Sequence, residues 1–169
     1  MATIHFVYVG AYMVQIVVYD AWKLITPQAV MRRWIMGSLV LSVNTVVWYL
    51  VHSKPLDTTA YKLLAWALIV ADIALASFNV YEQRGMASRA VALYAIPLIV
   101  STVLLSRSAL LATAVLSIVA YATTAVSYFV LNFNEGYKIE LYGEVGSYCI
   151  LFVIMAALLW VTVRHRQHP

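Results

Sequence analysis

Asp72 sits in a run from about Leu63 to Tyr81 that is otherwise mostly apolar. At the centre of a membrane span an ionised carboxylate costs about 2.5–3.5 kcal/mol. Such a residue is expected to face a bundle interior or a water-filled cavity rather than lipid. Asn44 lies near the middle of the preceding apolar run, at comparable depth from the intervening turn. A hydrogen bond between the two would lower the cost. Two readings follow, a structural clasp between helices worth about 1 kcal/mol and a carboxylate that binds a proton or an ion.

A second constellation comes from helical spacing. His5, Tyr8, Tyr12, Gln15, Tyr19 and Trp22 recur at steps of three and four, as do Thr113, Ser117, Tyr121, Thr124, Tyr128 and Asn132. Glu140, Glu144 and Tyr148 are spaced four apart. Steps of three and four place residues on one helical face. Chain direction puts the end of the first run, the end of the fifth and the start of the sixth on one side of the membrane. Asp20, Tyr19, Tyr128, Asn132, Glu140 and Glu144 are therefore expected to line one polar, aromatic vestibule. Carboxylates four residues apart repel, which gives such a site a means of responding to protons or cations. Arg32, Arg33 and Arg84 lie on that side as partners for the acids. The competing reading is an interface belt of tyrosines with acids reaching out to water. It accounts for Tyr19, Trp22 and Tyr137, and less well for Tyr12, Gln15 and Glu144.

Other chemistry is not indicated. His5, His52, His165 and His168 fall at span ends or in the tail and read as solvated side chains, with no metal site. Cys149 is the only cysteine and reads as a small buried hydrophobe. The sequence holds no Gly-rich phosphate loop, H-E-x-x-H, C-x-x-C, Ser-x-x-Lys or G-x-S-x-G motif, so no catalytic residue and no cofactor are expected. Lys62 and Lys138 lie at span ends, which argues against a retinal Schiff base. The net charge of +4 comes from basic residues scattered at span ends, not from a basic patch with stacking aromatics, so nucleic acid is not an expected partner.

Positioning these residues requires a membrane. Of 169 residues, 64% are hydrophobic and 11% charged, and mean hydropathy is +0.86. A soluble domain is about half apolar and about a quarter charged, so the solvent outside this surface is expected to be lipid. The spacing of apolar runs predicts an all-α, polytopic bundle of six spans in a single transmembrane domain over residues 1–169. The spans are about 4–24, 34–51, 63–81, 90–106, 109–133 and 141–163. Thr26-Pro27 and Arg32-Arg33 separate the first two, Pro55 marks a turn, and Glu82-Gln83-Arg84-Gly85 ends the third. Pro97 falls inside the fourth and predicts a kink. A β-barrel would need alternating segments of about ten residues, and these runs are longer and continuously apolar. The first run lacks the basic start and cleavage pattern of a signal peptide and is expected to be retained.

With six spans both termini share a side. Lys54, Lys62, Arg107, Arg164 and Arg166 would lie there, and Lys23, Arg32, Arg33, Arg84, Arg89 and Lys138 opposite, so the basic residues are nearly balanced. The terminal side has only Asp57 among the acids. The opposite side has Asp20, Glu82, Glu135 and Glu140, with Glu144 just inside the sixth span. The basic tail favours both termini in the cytoplasm of a cell whose inner membrane holds the chain.

The segment Asn132-Phe133-Asn134-Glu135-Gly136-Tyr137-Lys138-Ile139-Glu140-Leu141-Tyr142-Gly143-Glu144 resembles the multi-pass membrane input regions at the N-terminus of some bacterial sensor histidine kinases. The resemblance implies an output helix in the sixth span, with Arg164 to Pro169 as the start of a junction. It also implies a chain that is either the input part of a larger receptor or a stand-alone relative. The expected protein partner is a second copy in a homodimer or a larger receptor. The leading expectation is thus a membrane-embedded sensing module, for signal transduction, that binds a small ligand or cation. The alternatives are a small proton- or ion-coupled transporter or channel centred on Asp72 and Asn44, and a structural subunit of a membrane complex. Small-residue faces such as Ala67/Ala71 and Gly143/Ser147 would serve the last.

Overall fold

Apolar runs of about 20 residues have few ways to satisfy their backbone polar groups away from water, and the α-helix does so within one segment. In the computed structural model the chain forms α1 (Ala2–Ala21), α2 (Pro27–Ser53), α3 (Thr58–Glu82), α4 (Ala95–Ser101), α5 (Arg107–Phe133) and α6 (Ile139–Gln167). Short 3-10 helices at Arg89–Tyr94 and Thr102–Leu104 flank α4. The structure describes residues 2–53, 57–85, 88–104, 106–133 and 139–167, with the backbone alone for 2–4, 133 and 164–167. The expected turn at Pro55, Asn134 to Lys138 of the segment that carries the resemblance, the side chains of Arg164, His165 and Arg166, and His168 lie outside the described residues.

The described chain is all-helical, and four of its helices are long and apolar enough to cross a membrane: Pro27–Ser53, Thr58–Glu82, Arg107–Asn132 and Ile139–Val163. Membrane contact follows from these four. Arg89–Leu104 is a shorter apolar stretch. The expected kinked α-helix over 90–106 is instead broken into 3-10, α and 3-10 pieces. Pro97 has no N–H to give to the carbonyl four residues back. Further along, Ser101 and Thr102 donate their hydroxyls to the carbonyls of Leu98 and Ile99, each at 2.7 Å. Those i−3 bonds go with the tighter winding.

Helix ends have local causes. Thr26 caps α2 by accepting from the Ala29 amide at 3.3 Å, and Pro27 at the first helical position has its φ already set. The helix therefore begins well before the apolar run expected from Trp34, and Arg32 and Arg33 lie inside its first turns. Asp57 and Ser106 cap α3 and α5 through the amides of Ala60 at 2.9 Å and Ala109 at 3.4 Å. At the end of α1, Leu24 N–H bonds to Tyr19 O at 2.8 Å and Lys23 N–H to Asp20 O at 3.0 Å. Lys23 has φ 53°. This is a Schellman ending, closed by a lysine in the left-handed position usually held by glycine.

The chain divides into two compact units, Met1–Ala71 and Asp72–Pro169, with the boundary inside α3. In the first, Val9, Tyr12 and Ile16 of α1 are buried, as are Val30, Arg33, Gly37, Val40, Asn44 and Val47 of α2. Their steps of three and four make one packed stripe on each helix. At Gly37 a Cβ would stand 3.0 Å from the Met13 Sδ and Cε atoms and 3.2 Å from Tyr12 Cε1, so α1 and α2 approach closely there. In the second unit Leu98, Leu110, Ala114 and Ala156 form a buried cluster. Met155, Leu159 and Trp160 pack against it.

Candidate functional site

The second unit is organised around tyrosines. Tyr94, in the 3-10 turn before α4, is fully buried. Its hydroxyl shares a 2.7 Å hydrogen bond with Ser77 Oγ of α3, and Ser77 itself donates to the Ile73 carbonyl. The Tyr94 ring meets Tyr121 edge-on, with centroids 5.9 Å apart, and Phe152 at 5.4 Å. Tyr121 in turn meets Phe152 at 5.8 Å and Tyr148 at 5.6 Å, both edge-on. Such pairs contribute about 0.5–1.5 kcal/mol each beyond the area they bury. One aromatic cluster therefore joins α3, the turn before α4, α5 and α6.

Tyr148 also forms one wall of a notch of about 220 Å³. Ser88, Arg89 and Val91 line it from the 3-10 side, and Tyr148, Phe152 and Met155 from α6. Ser88 is held in place by accepting from the Ala90 amide at 2.9 Å and donating to Gln83 Oε1 at 3.3 Å. Arg89 is exposed and supplies the charge at the mouth. The notch offers a cation, a phenol, a hydroxyl and an apolar floor, which suits a small ligand held by one polar end and packed on aromatic faces. The buried hydroxyls of Tyr121 and Ser117, one helical turn apart on α5, have no hydrogen-bond partner among the described residues.

The residues expected from sequence fall into two groups. In the first unit the Tyr19 hydroxyl accepts from Gln15 Nε2 at 2.9 Å, and the Arg33 guanidinium lies over the Tyr19 ring, 5.5 Å from its centroid. Asp20 pairs with Lys23 at 3.2 Å, a partner the sequence reading did not name. Arg33, read as a charge at a span end, is only 3% exposed. In the second unit Tyr128 meets Tyr81 edge-on at 5.4 Å, and Asn132 donates to the Tyr128 carbonyl at 2.9 Å. Glu140 and Glu144 are exposed on α6, and Glu144 lies one turn before Tyr148. Asn44 is fully buried and Asp72 is 1% exposed, and the two belong to different units. The Asn44 amide has no hydrogen-bond partner among the described residues.

One expectation is corrected. His5, read as solvated, is 3% exposed, because it shares the packed face of α1 with Val9, Tyr12 and Ile16. His52 remains exposed, with Nδ1 2.8 Å from the Trp48 carbonyl and its ring 4.6 Å from that of Trp48. Sequence spacing singled out Tyr121 and Tyr148 as parts of polar faces, but missed Ser77, Arg89, Tyr94 and Phe152. A tyrosine just inside an apolar run, where interface tyrosines also gather, gave no separate signal at position 94. Comparison with protein-family models, curated proteins and solved structures finds no match for this chain.

Proposed function

We propose that the chain is a membrane-embedded sensing module, the signal-input part of a receptor. It crosses the inner membrane six times, with both termini in the cytoplasm. The four long apolar helices supply four of the crossings. α1, with 20 residues, spans about 30 Å at 1.5 Å per residue. The segment Arg89–Leu104 reaches about 28 Å because 3-10 winding rises about 2 Å per residue. Both lengths match a hydrocarbon core of about 30 Å.

The observation that carries the reading is the position of Tyr148. It stands on α6 between the notch and the buried cluster of Tyr121, Tyr94 and Phe152. A small ligand or cation taken up beside it bears directly on α6, the helix that leads to the C-terminal side. Glu140 and Glu144 extend the same face of α6 toward the vestibule side. Tyr128 and Asn132 of α5 belong to the same binding region in this proposal. A cation taken up there changes the charge carried by the start of α6.

The test uses the full chain in lipid vesicles. Spin labels at Val119→Cys and Leu158→Cys, with Cys149 replaced by Ser, report the distance between α5 and α6. Titration with protons and with divalent cations should shift that distance, and Glu144→Gln should remove the shift while leaving helix content unchanged. No shift under any titrant would overturn the reading. A fused reporter enzyme at Pro169 tests the orientation.

The second reading, a proton- or ion-coupled transporter, is favoured by the deep burial of Asp72 and Asn44. It makes the opposite demand: Asp72→Asn abolishes proton flux in reconstituted vesicles, while Glu144→Gln is mild.

A further inference from the structure

Between α5 and α6 runs a groove of about 330 Å³ lined almost wholly by apolar atoms. Its floor is made by small residues, Ala114 and Ala156, which belong to the buried cluster with Leu98 and Leu110. Its walls include Leu111, Val115 and Val153, all exposed, Val115 by 61%. Both helices are of membrane-crossing length, so these walls face hydrocarbon. Trp160 closes one end of the groove.

Over the Trp160 ring, 5.5 Å from its centroid, stands the guanidinium of Arg107, the first residue of α5. Arg107 is half-buried and its Nε has no hydrogen-bond partner among the described residues. Neither α5 nor the Trp160 end of α6 carries an acid, and the acids of α6, Glu140 and Glu144, lie at the helix end opposite Trp160. The positive end of the α5 dipole adds to the charge at Arg107.

We infer that the α5–α6 groove is a binding site for an anionic phospholipid from the surrounding leaflet, with an acyl chain along the groove and the phosphate at Arg107. A long apolar channel that ends beside a tryptophan at an arginine with no acid on either of its two helices near it suits an occupant with a chain and an anion at headgroup depth. Basic pockets between spanning helices recognise anionic headgroups in this way. A second copy of the chain is a poorer occupant, because a symmetric approach would bring its own Arg107 against the same basic end.

The experiment places the full chain in phosphatidylcholine vesicles doped with phosphatidylglycerol. Bromine on the acyl chains of one lipid or the other quenches nearby tryptophan. The Trp160 signal is the difference between the wild type and Trp160→Phe. At equal mole fraction, brominated phosphatidylglycerol should be preferred over brominated phosphatidylcholine by about fivefold, the ratio that about 1 kcal/mol per basic residue near a headgroup implies. Arg107→Ala should bring the ratio close to one, and Arg107→Lys should keep most of it. Ala157→Phe, which fills the groove while leaving Arg107 in place, should reduce quenching by both lipids. The inference is overturned if the wild type shows no preference, or if Arg107→Ala retains it. It is overturned too if free inorganic phosphate abolishes the preference, which would make the site one for phosphate alone. A change of oligomeric state in Ala157→Phe with quenching intact would assign the groove to a second copy and overturn it as well.

Discussion

Gly85 offers a quantitative check on how the end of α3 is set against α5. Its φ is 65°, in the region where a side chain costs about 1–2 kcal/mol. A Cβ there would also stand 3.1 Å from Tyr128 Cδ1, 3.3 Å from Tyr128 Cβ and 3.3 Å from Phe129 Cε2. The Tyr128 Cβ is fixed to the α5 backbone and cannot swing aside, so relieving the contact adds roughly 1 kcal/mol, at the lower end of overpacking costs. Gly85→Ala should therefore destabilise by about 2–3 kcal/mol. Thermal unfolding in detergent, followed by circular dichroism, should show a drop of roughly 5–10 °C, since a chain of this size loses about 2–4 °C per kcal/mol. The neighbouring residue supplies the control. Arg84 has φ 71° without being glycine, so Arg84→Gly relieves the same backbone penalty. It restores freedom to the unfolded chain, worth about 0.5–1 kcal/mol in the other direction, and should leave a net gain of up to about 1 kcal/mol. A Gly85→Ala protein that melts with the wild type, or an Arg84→Gly protein that melts lower than Gly85→Ala, would refute the reasoning.

Lys23→Gly should stabilise the end of α1 by up to about 1 kcal/mol, because glycine holds the Schellman position without strain; the same melting assay reads it. Gly37→Leu should destabilise by about 1–3 kcal/mol by forcing Met13 and Tyr12 of α1 away from α2, and crosslinking across α1 and α2 should fall with it. Ser77→Ala removes one partner of the Tyr94 hydroxyl and should cost about 1 kcal/mol, with no effect expected from Ser42→Ala, whose hydroxyl bonds only to its own helix at 2.8 Å. Tyr121→Phe should raise stability by about 1 kcal/mol, since it deletes a buried hydroxyl that has no partner among the described residues. A lower melting temperature for Tyr121→Phe would contradict that account.

The helices were legible wherever apolar runs were bounded by residues with definite backbone preferences. Thr26-Pro27, Asp57 and the group ending at Gly85 each mark an end in the sequence, and each has a cap or a left-handed residue at or beside it in the structure. The winding of residues 89–104 was not legible. Proline announces a missing hydrogen bond, but whether the chain kinks or tightens into 3-10 turns depends on hydroxyls such as those of Ser101 and Thr102 finding carbonyls three residues back. Azimuth was the larger gap. Periodicity shows that Tyr121 shares a face with Ser117 and Tyr128, yet not which helix that face meets. The ring cluster therefore appears only when Tyr94 and Phe152 are placed beside Tyr121. His5 failed for a related reason. A histidine near a chain end reads as solvated until the face it shares with Val9 and Tyr12 is seen to be buried.

Polar side chains inside the spans sort by who satisfies them. The Asn79 amide, Ser101 and Thr113 donate to carbonyls of their own helices at 2.8, 2.7 and 2.9 Å. Such back-bonding costs little, needs no neighbour and carries no specificity. Ser77 is different, since it bonds to its own helix and also to Tyr94, and so ties two elements together. Ser117 and Tyr121 are different again: both are fully buried, and neither hydroxyl is satisfied by its own helix or by any other described residue. A buried hydroxyl without a partner costs about 1–3 kcal/mol. A phenylalanine and an alanine would fill the same space without that cost. Sites where stability is given up in this way are where function is to be sought. Of the two, Tyr121 sets its ring 5.6 Å from that of Tyr148, so an unmet polar group of the second unit belongs to a side chain in contact with the helix proposed to carry the signal.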